Sequence, residues 1–258
     1  MANISEKAQL MPASAIRKLV PFADAAKKQG VKVYHLNLGQ PDIKSPKCAL
    51  DAVKNYSLEN VSYSHSAGLM ELRKGLVEKY YKKIGIDLTV DELIVTVAGS
   101  ESVNLALEIA CNPGDEVIVL EPFYTNYNTF AFMNGLTLKA IPTDIRNGFQ
   151  IPPIEEFEKA ITDKTKAILV CNPGNPTGTQ YSKESMLALG EIARKHDLFL
   201  LSDEVYREFC YTDEPHFSAM QIPGLEQNVI LIDSVSKRYN LCGARIGCIV
   251  SHNKDVMA

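Results

Sequence analysis

The sequence of 258 residues lacks the features that mark several common classes of protein. No stretch is enriched in lysine and arginine, and the net charge is −4. This argues against nucleic acid as the main partner, because binding to a phosphate backbone needs clustered cations. No apolar run approaches the length that crosses a bilayer, and residues 1–10 carry charges without a continuous apolar stretch. We therefore expect neither a membrane partner nor a secretory signal. The five histidines are scattered without a metal-ligand pattern, so we expect no metal site.

The cysteines show no C-x-x-C spacing, and most of them lie within apolar runs. They are Cys48, Cys111, Cys171, Cys210, Cys242 and Cys248. Together with the missing secretory signal, this pattern predicts reduced, buried thiols in a cytoplasmic protein rather than a disulfide framework.

Apolar runs of strand length alternate with amphipathic segments of helix length over most of the chain. The runs are continuously apolar, which is typical of strands buried on both faces, so we predict an α/β protein with a mostly parallel, seven-stranded sheet sandwiched by helices. The predicted strands are 93–98, 116–121, 137–141, 167–171, 198–202, 229–233 and 246–251. The predicted helices between them are 100–111, 124–134, 154–162, 183–196 and a short one after His216.

The segment before this repeat has a different pattern. Pro12 is predicted to begin a helix that runs to Gln29 and is closed by Gly30. A short strand at 33–38 and a turn at 39–42 follow, and then helices at about 46–56 and 69–84. After the last predicted strand only residues 252–258 remain, and they look like the start of another helix. We therefore expect a chain that lacks a C-terminal part.

Lys237 is the strongest candidate for chemistry. A lone lysine after a strand is normally a surface residue, but a desolvated lysine or one beside another cation has a lowered pKa. The neutral amine can then attack a carbonyl carbon. Arg245 and Ser234 lie close in the sequence and suit a phosphate dianion. Gly99 and Ser100 open a predicted helix, where free N–H groups attract phosphate, although Ser100 also suits a plain helix cap.

Polar groups follow three other predicted strands. Asp203 ends a buried strand, where ligands bind in open α/β sheets, although it also suits a helix cap. Facing a pyridine nitrogen, its carboxylate would stabilise a protonated ring. Tyr206 and Tyr124 offer a phenol and an aromatic face to a planar ring, or else pack in the core. Asn175 lies in a rigid turn with two Asn-Pro steps. Together these groups suit a phosphorylated pyridine aldehyde.

In their order and spacing, the motifs resemble those of the class I and II aminotransferases, which are pyridoxal-phosphate enzymes of fold type I. The resemblance is greatest to the aspartate-aminotransferase-like group, and it covers nearly the whole chain. Its pieces are Leu38-Gly-Gln-Pro-Asp42, Tyr63-Ser-His-Ser-Ala-Gly68, Leu72-Arg73, Asn172-Pro-Gly-Asn175-Pro-Thr-Gly178, Ser202-Asp203-Glu-Val-Tyr206, Ser234-Val-Ser236-Lys237 and Gly243-Ala-Arg245-Ile-Gly247.

The resemblance implies the cofactor pyridoxal 5′-phosphate and a role for each matching position. Lys237 would form the Schiff base and move the proton of the substrate α-carbon, and Asp203 would pair with the ring nitrogen. Tyr206 and Asn175 would contact the ring hydroxyl, and Tyr124 would stack on the ring. The implied phosphate contacts are Gly99, Ser100, Ser234 and Arg245.

The resemblance also implies contacts beyond the cofactor. The implied enzyme is a homodimer in which Tyr63 reaches the phosphate of the neighbouring subunit. Gly39 and Asn175 would lie near the substrate, and the Asn175–Pro176 peptide is expected to be cis. Residues 1–45 would form an N-terminal arm and part of a small domain, and residues 46–258 an incomplete cofactor-binding large domain. The family's arginine for the substrate α-carboxylate has no counterpart here.

The implied reaction moves an amino group between an amino acid and a 2-oxo acid. Three alternatives remain open at this point. A carbon–sulfur β-lyase shares the same motifs, and an inactive fragment of a transaminase fits the expected truncation. A serine hydrolase using Ser234 and Lys237 would need S-D-N and K-T-G partners, and neither occurs in the sequence.

Overall fold

A central sheet of seven strands organises the chain. The structure is a computed structural model that describes residues 2–11, 14, 16–37, 39–57 and 59–258. The strands are β1 (Leu93–Thr96), β2 (Glu116–Glu121), β3 (Thr137–Pro142), β4 (Thr165–Cys171), β5 (Phe199–Asp203), β6 (Val229–Ser234) and β7 (Gly247–Val250). Their spatial order is β1-β7-β6-β5-β4-β2-β3. The seven predicted strands are therefore confirmed, with ends that differ by at most two residues.

The helices flank this sheet and precede it. They are α1 (Glu6–Leu10), α2 (Val20–Lys28), α3 (Lys47–Lys54), α4 (Met70–Lys74), α5 (Ala98–Ala110), α6 (Asn126–Met133), α7 (Ile154–Ala160), α8 (Lys183–Lys195), α9 (Val235–Arg238) and α10 (Lys254–Met257). A π-helical turn and a 3₁₀ turn extend α4 as far as Ile84. A 3₁₀ turn at Ala219–Gln221 stands where a short helix was expected after His216.

The sheet is mostly parallel, as the apolar runs predict. β2 pairs in parallel with β3 and β4, β4 with β5, and β5 with β6. β7 runs antiparallel to both of its neighbours, β6 and β1. Helices α5 to α8 connect the parallel strands, because a parallel pair needs a long crossover. The carboxyl ends of β4, β5 and β6 therefore meet at one edge of the sheet.

Successive residues of one strand pack on opposite faces of the sheet, and both faces are covered. In β2, Val117 and Val119 belong to one buried cluster, whereas Ile118 and Leu120 belong to the other. This period of two explains why the strand sequences are continuously apolar rather than alternating. Each fully buried aliphatic side chain contributes about 1.5–3 kcal/mol to folding, so the sheet edge that carries the polar groups rests on a stable support.

The N-terminal segment differs from the sequence-based expectation. The helix expected from Pro12 to Gln29 is interrupted: a 3₁₀ turn at Arg17–Leu19 leads into α2, and Pro12 lies outside the described residues. Gly30 has φ of 81°, so it ends the helix as predicted. The strand expected at 33–38 is wrong for residues 33–37, which pair with no strand. These residues are largely exposed, and among the described residues no neighbouring strand is available to pair with them.

All six cysteines are free thiols. Cys111 and Cys248 are buried, whereas Cys48 is exposed and the other three are partly buried. The prediction of buried thiols therefore holds for two of the six. Cys48 lies in the exposed helix α3, and the other three lie at a strand end or in loops and turns. Within the described part of the chain, no helix combines the length and apolar character needed to span a bilayer.

Candidate active site

A cavity of about 590 Å³ opens at the carboxyl ends of β4, β5 and β6, beside the start of α5. Open α/β sheets bind ligands at this edge. Residues from seven separate parts of the chain meet there. Of the predicted site residues, those that line the cavity are Gly39, Gly99, Ser100, Tyr124, Asn175, Asp203, Tyr206, Ser234, Lys237 and Arg245.

Asp203 is the last residue of β5 and is almost completely buried. Its Oδ2 accepts a hydrogen bond of 2.6 Å from the Tyr127 hydroxyl, and its Oδ1 accepts one of 3.3 Å from the Val205 amide. Burial raises the pKa of Asp203 from 3.8 to about 6, and these hydrogen bonds oppose that rise. The carboxylate is therefore mostly ionised at neutral pH, and a cationic ring nitrogen would be a favourable partner for it.

Lys237 lies in α9, directly after β6, because Ser234 caps this short helix. The lysine Nζ donates a hydrogen bond to the carbonyl oxygen of Gly39. It lies 5.9 Å from the centre of the Tyr206 ring. The Tyr206 hydroxyl in turn accepts a hydrogen bond of 3.2 Å from the Asn175 amide. An amine, a phenol and an amide are thus linked along one wall of the cavity.

The start of α5 forms the other wall. Ser100 is the third residue of this helix rather than its cap, because the helix begins two residues earlier than predicted, at Ala98. A Cβ on Gly99 would approach Val205 at 3.2 Å and Ser234 at 3.7 Å, so glycine allows the helix to start close to β6. Free N–H groups at a helix start attract anions, so this wall suits a phosphate group.

Ser234 and Arg245 lie beside this helix start. The Ser234 hydroxyl donates to the Ile246 carbonyl oxygen at 3.1 Å and accepts from the Ser236 amide. Arg245 has φ of 54°, in the left-handed region, and its guanidinium donates to the Cys242 carbonyl oxygen while remaining exposed. Ser236 also lines the cavity and adds a second hydroxyl at this wall.

An aromatic pair joins the cavity wall to α6: Tyr124 lies in the turn before this helix, and Tyr127 lies in its first turn. Tyr124 lines the cavity, and its ring meets the ring of Tyr127 edge-on, with centres 5.5 Å apart. The Tyr124 hydroxyl accepts a hydrogen bond of 2.7 Å from the Asn126 amide. Burial raises the pKa of Tyr124, so this phenol stays neutral and offers an aromatic face.

Tyr63 is the predicted site residue that the structure places elsewhere. It is fully exposed and is not part of the cavity wall. The resemblance assigned it to the site of a neighbouring subunit, and that role stays a prediction. The Asn175–Pro176 peptide is cis, as the resemblance implied.

Sequence reasoning missed Tyr127, Ser236 and Cys171, all of which contribute to the site. Ser236 lies in the quoted motif around Lys237, and Cys171 ends β4, so their positions carried a signal. Tyr127 lies three residues after Tyr124, so the predicted helix 124–134 would have placed both on one face. Its bond to a residue 76 positions later depends on how α6 packs against the sheet.

A buried group of charges supports the site from outside the cavity. Glu204, next to Asp203, accepts two hydrogen bonds from Arg207. Asp233 accepts hydrogen bonds of 2.8 Å from both Arg238 and Tyr81. Burial opposes the charge of Asp233, but Arg207 and Arg238 outweigh it and hold its pKa below the usual range. This network joins the ends of β5 and β6 to α9, the helix that carries Lys237.

The fold and the site together define an α/β protein whose helix-covered sheet brings a lysine amine, a buried carboxylate and the start of a helix to one cavity. Comparison with known proteins identifies the class further. The chain belongs to the aminotransferase class I and II family, whose model matches residues 31–258.

Individual relatives agree with this assignment. The chain is 34% identical to the aspartate/prephenate aminotransferase of Thermus thermophilus, over 96% of this chain and 63% of that protein. It is 36% identical to the putative aminotransferase YugH of Bacillus subtilis, over 95% of this chain and 62% of that protein. The crystal structure of the aspartate aminotransferase of Thermotoga maritima superposes with a TM-score of 0.91 at 31% identity, over 98% of this chain and 67% of that one.

The Thermus thermophilus aspartate aminotransferase with maleate gives a TM-score of 0.89 at 33% identity, over 100% of this chain and 66% of that one. The chain therefore spans a little under two thirds of the length of the two curated relatives named above.

Proposed function

We propose that this chain carries the pyridoxal 5′-phosphate site of an aminotransferase that moves an amino group between an amino acid and a 2-oxo acid. The observation that carries the proposal is the meeting of Lys237, Asp203 and the start of α5 at one cavity. Family membership supports it, because the relatives are named aminotransferases. We also propose that two copies of the chain form a homodimer. The location that we propose is the cytoplasm.

The residues of the cavity fit the cofactor group by group. The Lys237 amine suits its aldehyde carbon, and the Asp203 carboxylate suits its ring nitrogen. The linked Asn175 and Tyr206 suit its ring oxygen, and the Tyr124 ring suits its flat face. The phosphate matches the start of α5 together with Gly99, Ser100, Ser234, Ser236 and Arg245. When bound, the cofactor supplies an electron sink for the carbon that bears the amino group.

Each residue then has a task of its own. Lys237 would hold the cofactor, and its amine would carry a proton to and from the substrate α-carbon. Its nitrogen must first leave the Gly39 carbonyl oxygen, so that backbone group holds the amine in place beforehand. Asp203 favours a proton on the ring nitrogen because its buried negative charge needs a positive partner. Tyr206 and Asn175 orient the ring through their shared hydrogen bond.

The proposed enzyme also makes contacts with a second copy of the chain and with the substrate. Tyr63, fully exposed here, would reach the phosphate in the other copy of the homodimer. Gly39 and Asn175 would contact the substrate, since both line the cavity and Gly39 bonds to Lys237.

Chemical trapping tests where the cofactor binds. Pyridoxal 5′-phosphate is added to the purified chain, the linkage is reduced with borohydride, and the modified peptide is identified by mass spectrometry. We expect one adduct per chain, on Lys237. It should be absent in Lys237→Ala and retained in Lys254→Ala, which removes an exposed lysine of α10. A trapped adduct that persists in Lys237→Ala would contradict the proposal.

Exchange assays test the reaction. Transfer of an isotope-labelled amino group from an amino acid to a 2-oxo acid would support the aminotransferase. Release of pyruvate from cystathionine without such transfer would instead identify a carbon–sulfur lyase at the same site. An adduct on Lys237 with neither reaction would limit the proposal to cofactor binding by this chain.

A further inference from the structure

Tyr127 is a buried tyrosine whose hydroxyl bonds to the buried carboxylate of Asp203. The donor–acceptor distance is 2.6 Å, and both residues are at least 95% inaccessible to solvent. A hydrogen bond to a charged acceptor is stronger than one between neutral groups, and burial strengthens it further. Tyr127 lies outside the sequence motifs described above, and its side chain does not line the cavity.

The surroundings of Tyr127 hold its ring in one place. The residue lies in the first turn of α6 and belongs to the apolar cluster that covers one face of the sheet. The Phe123 ring stacks nearly parallel to it, with centres 6.3 Å apart, and the Tyr124 ring meets it edge-on. Side chains packed in this way keep a single rotamer. The Tyr127 hydroxyl therefore has a fixed position from which it donates its hydrogen bond to the Asp203 carboxylate.

We propose that Tyr127 is a positioning residue for Asp203: its hydroxyl holds the carboxylate in one orientation toward the cavity and stabilises the charged form. The effect of Tyr127 on cofactor binding rests on the proposed function, in which Asp203 faces the cofactor ring nitrogen. It assigns Tyr127 no contact with cofactor or substrate. Its effect passes through Asp203 alone.

The other groups that face Asp203 do not supply this stabilisation. Tyr124 approaches from the turn before α6 and Cys171 from the end of β4. Tyr206 and Glu204 follow Asp203 itself, and Asp233 approaches from β6. Of these groups, the phenols and the thiol are neutral, whereas Glu204 and Asp233 are acidic and oppose a further negative charge. The two hydrogen bonds to Asp203, from Tyr127 and the Val205 amide, act against burial and these acids.

The first test uses the chain without cofactor, so it does not depend on the proposed reaction. The titration of Asp203 is followed by carboxyl ¹³C NMR, with the signal assigned by its loss in Asp203→Asn. In Tyr127→Phe we expect the pKa of Asp203 to rise by about one unit, because the ionised carboxylate loses a hydrogen-bond donor while the neutral acid loses less. An unchanged titration in a folded Tyr127→Phe chain would overturn the inference.

Tyr81→Phe is the matched control. Tyr81 is also fully buried, and its hydroxyl donates a 2.8 Å hydrogen bond to a buried aspartate, Asp233, that does not line the cavity. This variant loses the same kind of bond at the end of the neighbouring strand. We expect it to leave the Asp203 titration within about 0.3 unit of the original, since the only shared influence is through Asp233. Equal shifts in the two variants would mean that the effect is general loosening of the core.

The second test uses the cofactor-loaded chain. Without the hydroxyl, fewer Asp203 side chains are ionised near neutral pH, so the affinity for pyridoxal 5′-phosphate should fall by up to about tenfold at pH 6. The loss should shrink by pH 8.5, where Asp203 is ionised in both chains. In an Asp203→Asn background, Tyr127→Phe should change the affinity less than about twofold. A loss that is independent of pH, or that persists in that background, would overturn the inference.

Failure of the inference and failure of the proposed function give different results. If the original chain binds no cofactor at Lys237, the proposed function fails while the titration in the cofactor-free chain still decides the bond to Asp203. If Lys237 is trapped as expected but Tyr127→Phe and Tyr81→Phe titrate alike, the inference fails alone. Thermal unfolding of each variant establishes that it is folded before either result is used.

Discussion

The Nζ of Lys237 donates a hydrogen bond to the carbonyl oxygen of Gly39, which lies 198 positions earlier in the chain. A Cβ built on Gly39 would lie 3.8 Å from both this Nζ and the Tyr206 hydroxyl. The segment before the sheet domain therefore reaches over the lysine that follows β6. The contact holds the flexible lysine side chain at the site before any ligand binds. Less side-chain conformational entropy is therefore lost on binding.

Gly247 should tolerate no side chain. A Cβ there would lie 2.5 Å from the backbone carbonyl carbon of Ala98 and 2.8 Å from the Asp233 carbonyl oxygen. We expect Gly247→Ala to lower the free energy of unfolding by about 1–3 kcal/mol, because β7 or the start of α5 must move. Urea unfolding measures this change.

Gly243→Ala is the control for this experiment, since nothing lies within 4 Å of the added Cβ. It should change the free energy of unfolding by less than about 0.5 kcal/mol. Equal stability of the two variants would show that the sheet and α5 are packed less closely than the structure indicates.

Asp203→Asn should stabilise the chain without cofactor at neutral pH. Burial raises the pKa of Asp203 to about 6, so the folded chain binds this proton more tightly than the unfolded chain does. The stabilisation that the protonated Asp203 gives to the folded chain is fully present below about pH 4 and is lost as the pH rises through 6. At pH 7.5 we expect Asp203→Asn to gain on the order of 2–3 kcal/mol, and the gain should disappear at pH 4.

Asp233→Asn should behave in the opposite way. Burial opposes this charge too, but Arg207 and Arg238 hold the pKa of Asp233 below its ordinary value. Its stabilising contribution is present above the unfolded pKa and is lost only as the pH falls through the folded pKa. Asp233→Asn should therefore destabilise the chain at pH 7.5, as measured by thermal unfolding. Stabilisation of both variants would contradict the assigned directions.

Arg238→Ala should be strongly destabilising. The guanidinium is almost fully buried, bonds to both carboxylate oxygens of Asp233 and lies 3.7 Å from the centre of the Tyr80 ring. Its removal leaves the Asp233 charge with a more distant cation, Arg207, at 4.0 Å. We expect a loss of about 3–5 kcal/mol in the free energy of unfolding.

The matched arginine is Arg146, which pairs with Asp144 at the surface. Arg146→Ala should leave the thermal midpoint close to that of the original chain, because water replaces exposed ion pairs at little cost. A similar fall in both variants would mean that burial of the Arg238 network adds nothing to its strength.

Asn175 and Tyr206 should act as a pair in cofactor binding. Their side chains share a 3.2 Å hydrogen bond at the cavity wall. Asn175→Ala and Tyr206→Phe should each weaken pyridoxal 5′-phosphate, and the double variant should lose less than the sum of the two, by about 0.5–1.5 kcal/mol. Equilibrium titration of the four chains measures this coupling. Strict additivity would show that the two residues bind the ring independently.

Most of the sheet could be predicted from the sequence. A strand such as 116–121 is apolar at successive positions, and its observed bounds, Glu116–Glu121, are the predicted ones. The helix at 183–196 was also foreseen, and it ends one residue earlier in the structure, at Lys195. Residues 33–37 carried a similar apolar pattern without forming a strand, because a strand exists only where another strand offers hydrogen-bond partners.

The sequence by itself determined which residues could do chemistry and where strands end, because polar residues directly after buried strands must gather at one edge of a parallel sheet. Only the tertiary structure decided which of them touch. The bond between Tyr127 and Asp203, the approach of Gly247 to Ala98 and the contact of Lys237 with Gly39 join residues that are 76 to 198 positions apart. Such contacts depend on how helices and loops pack against the sheet, and that packing depends on the volume and shape of many side chains together.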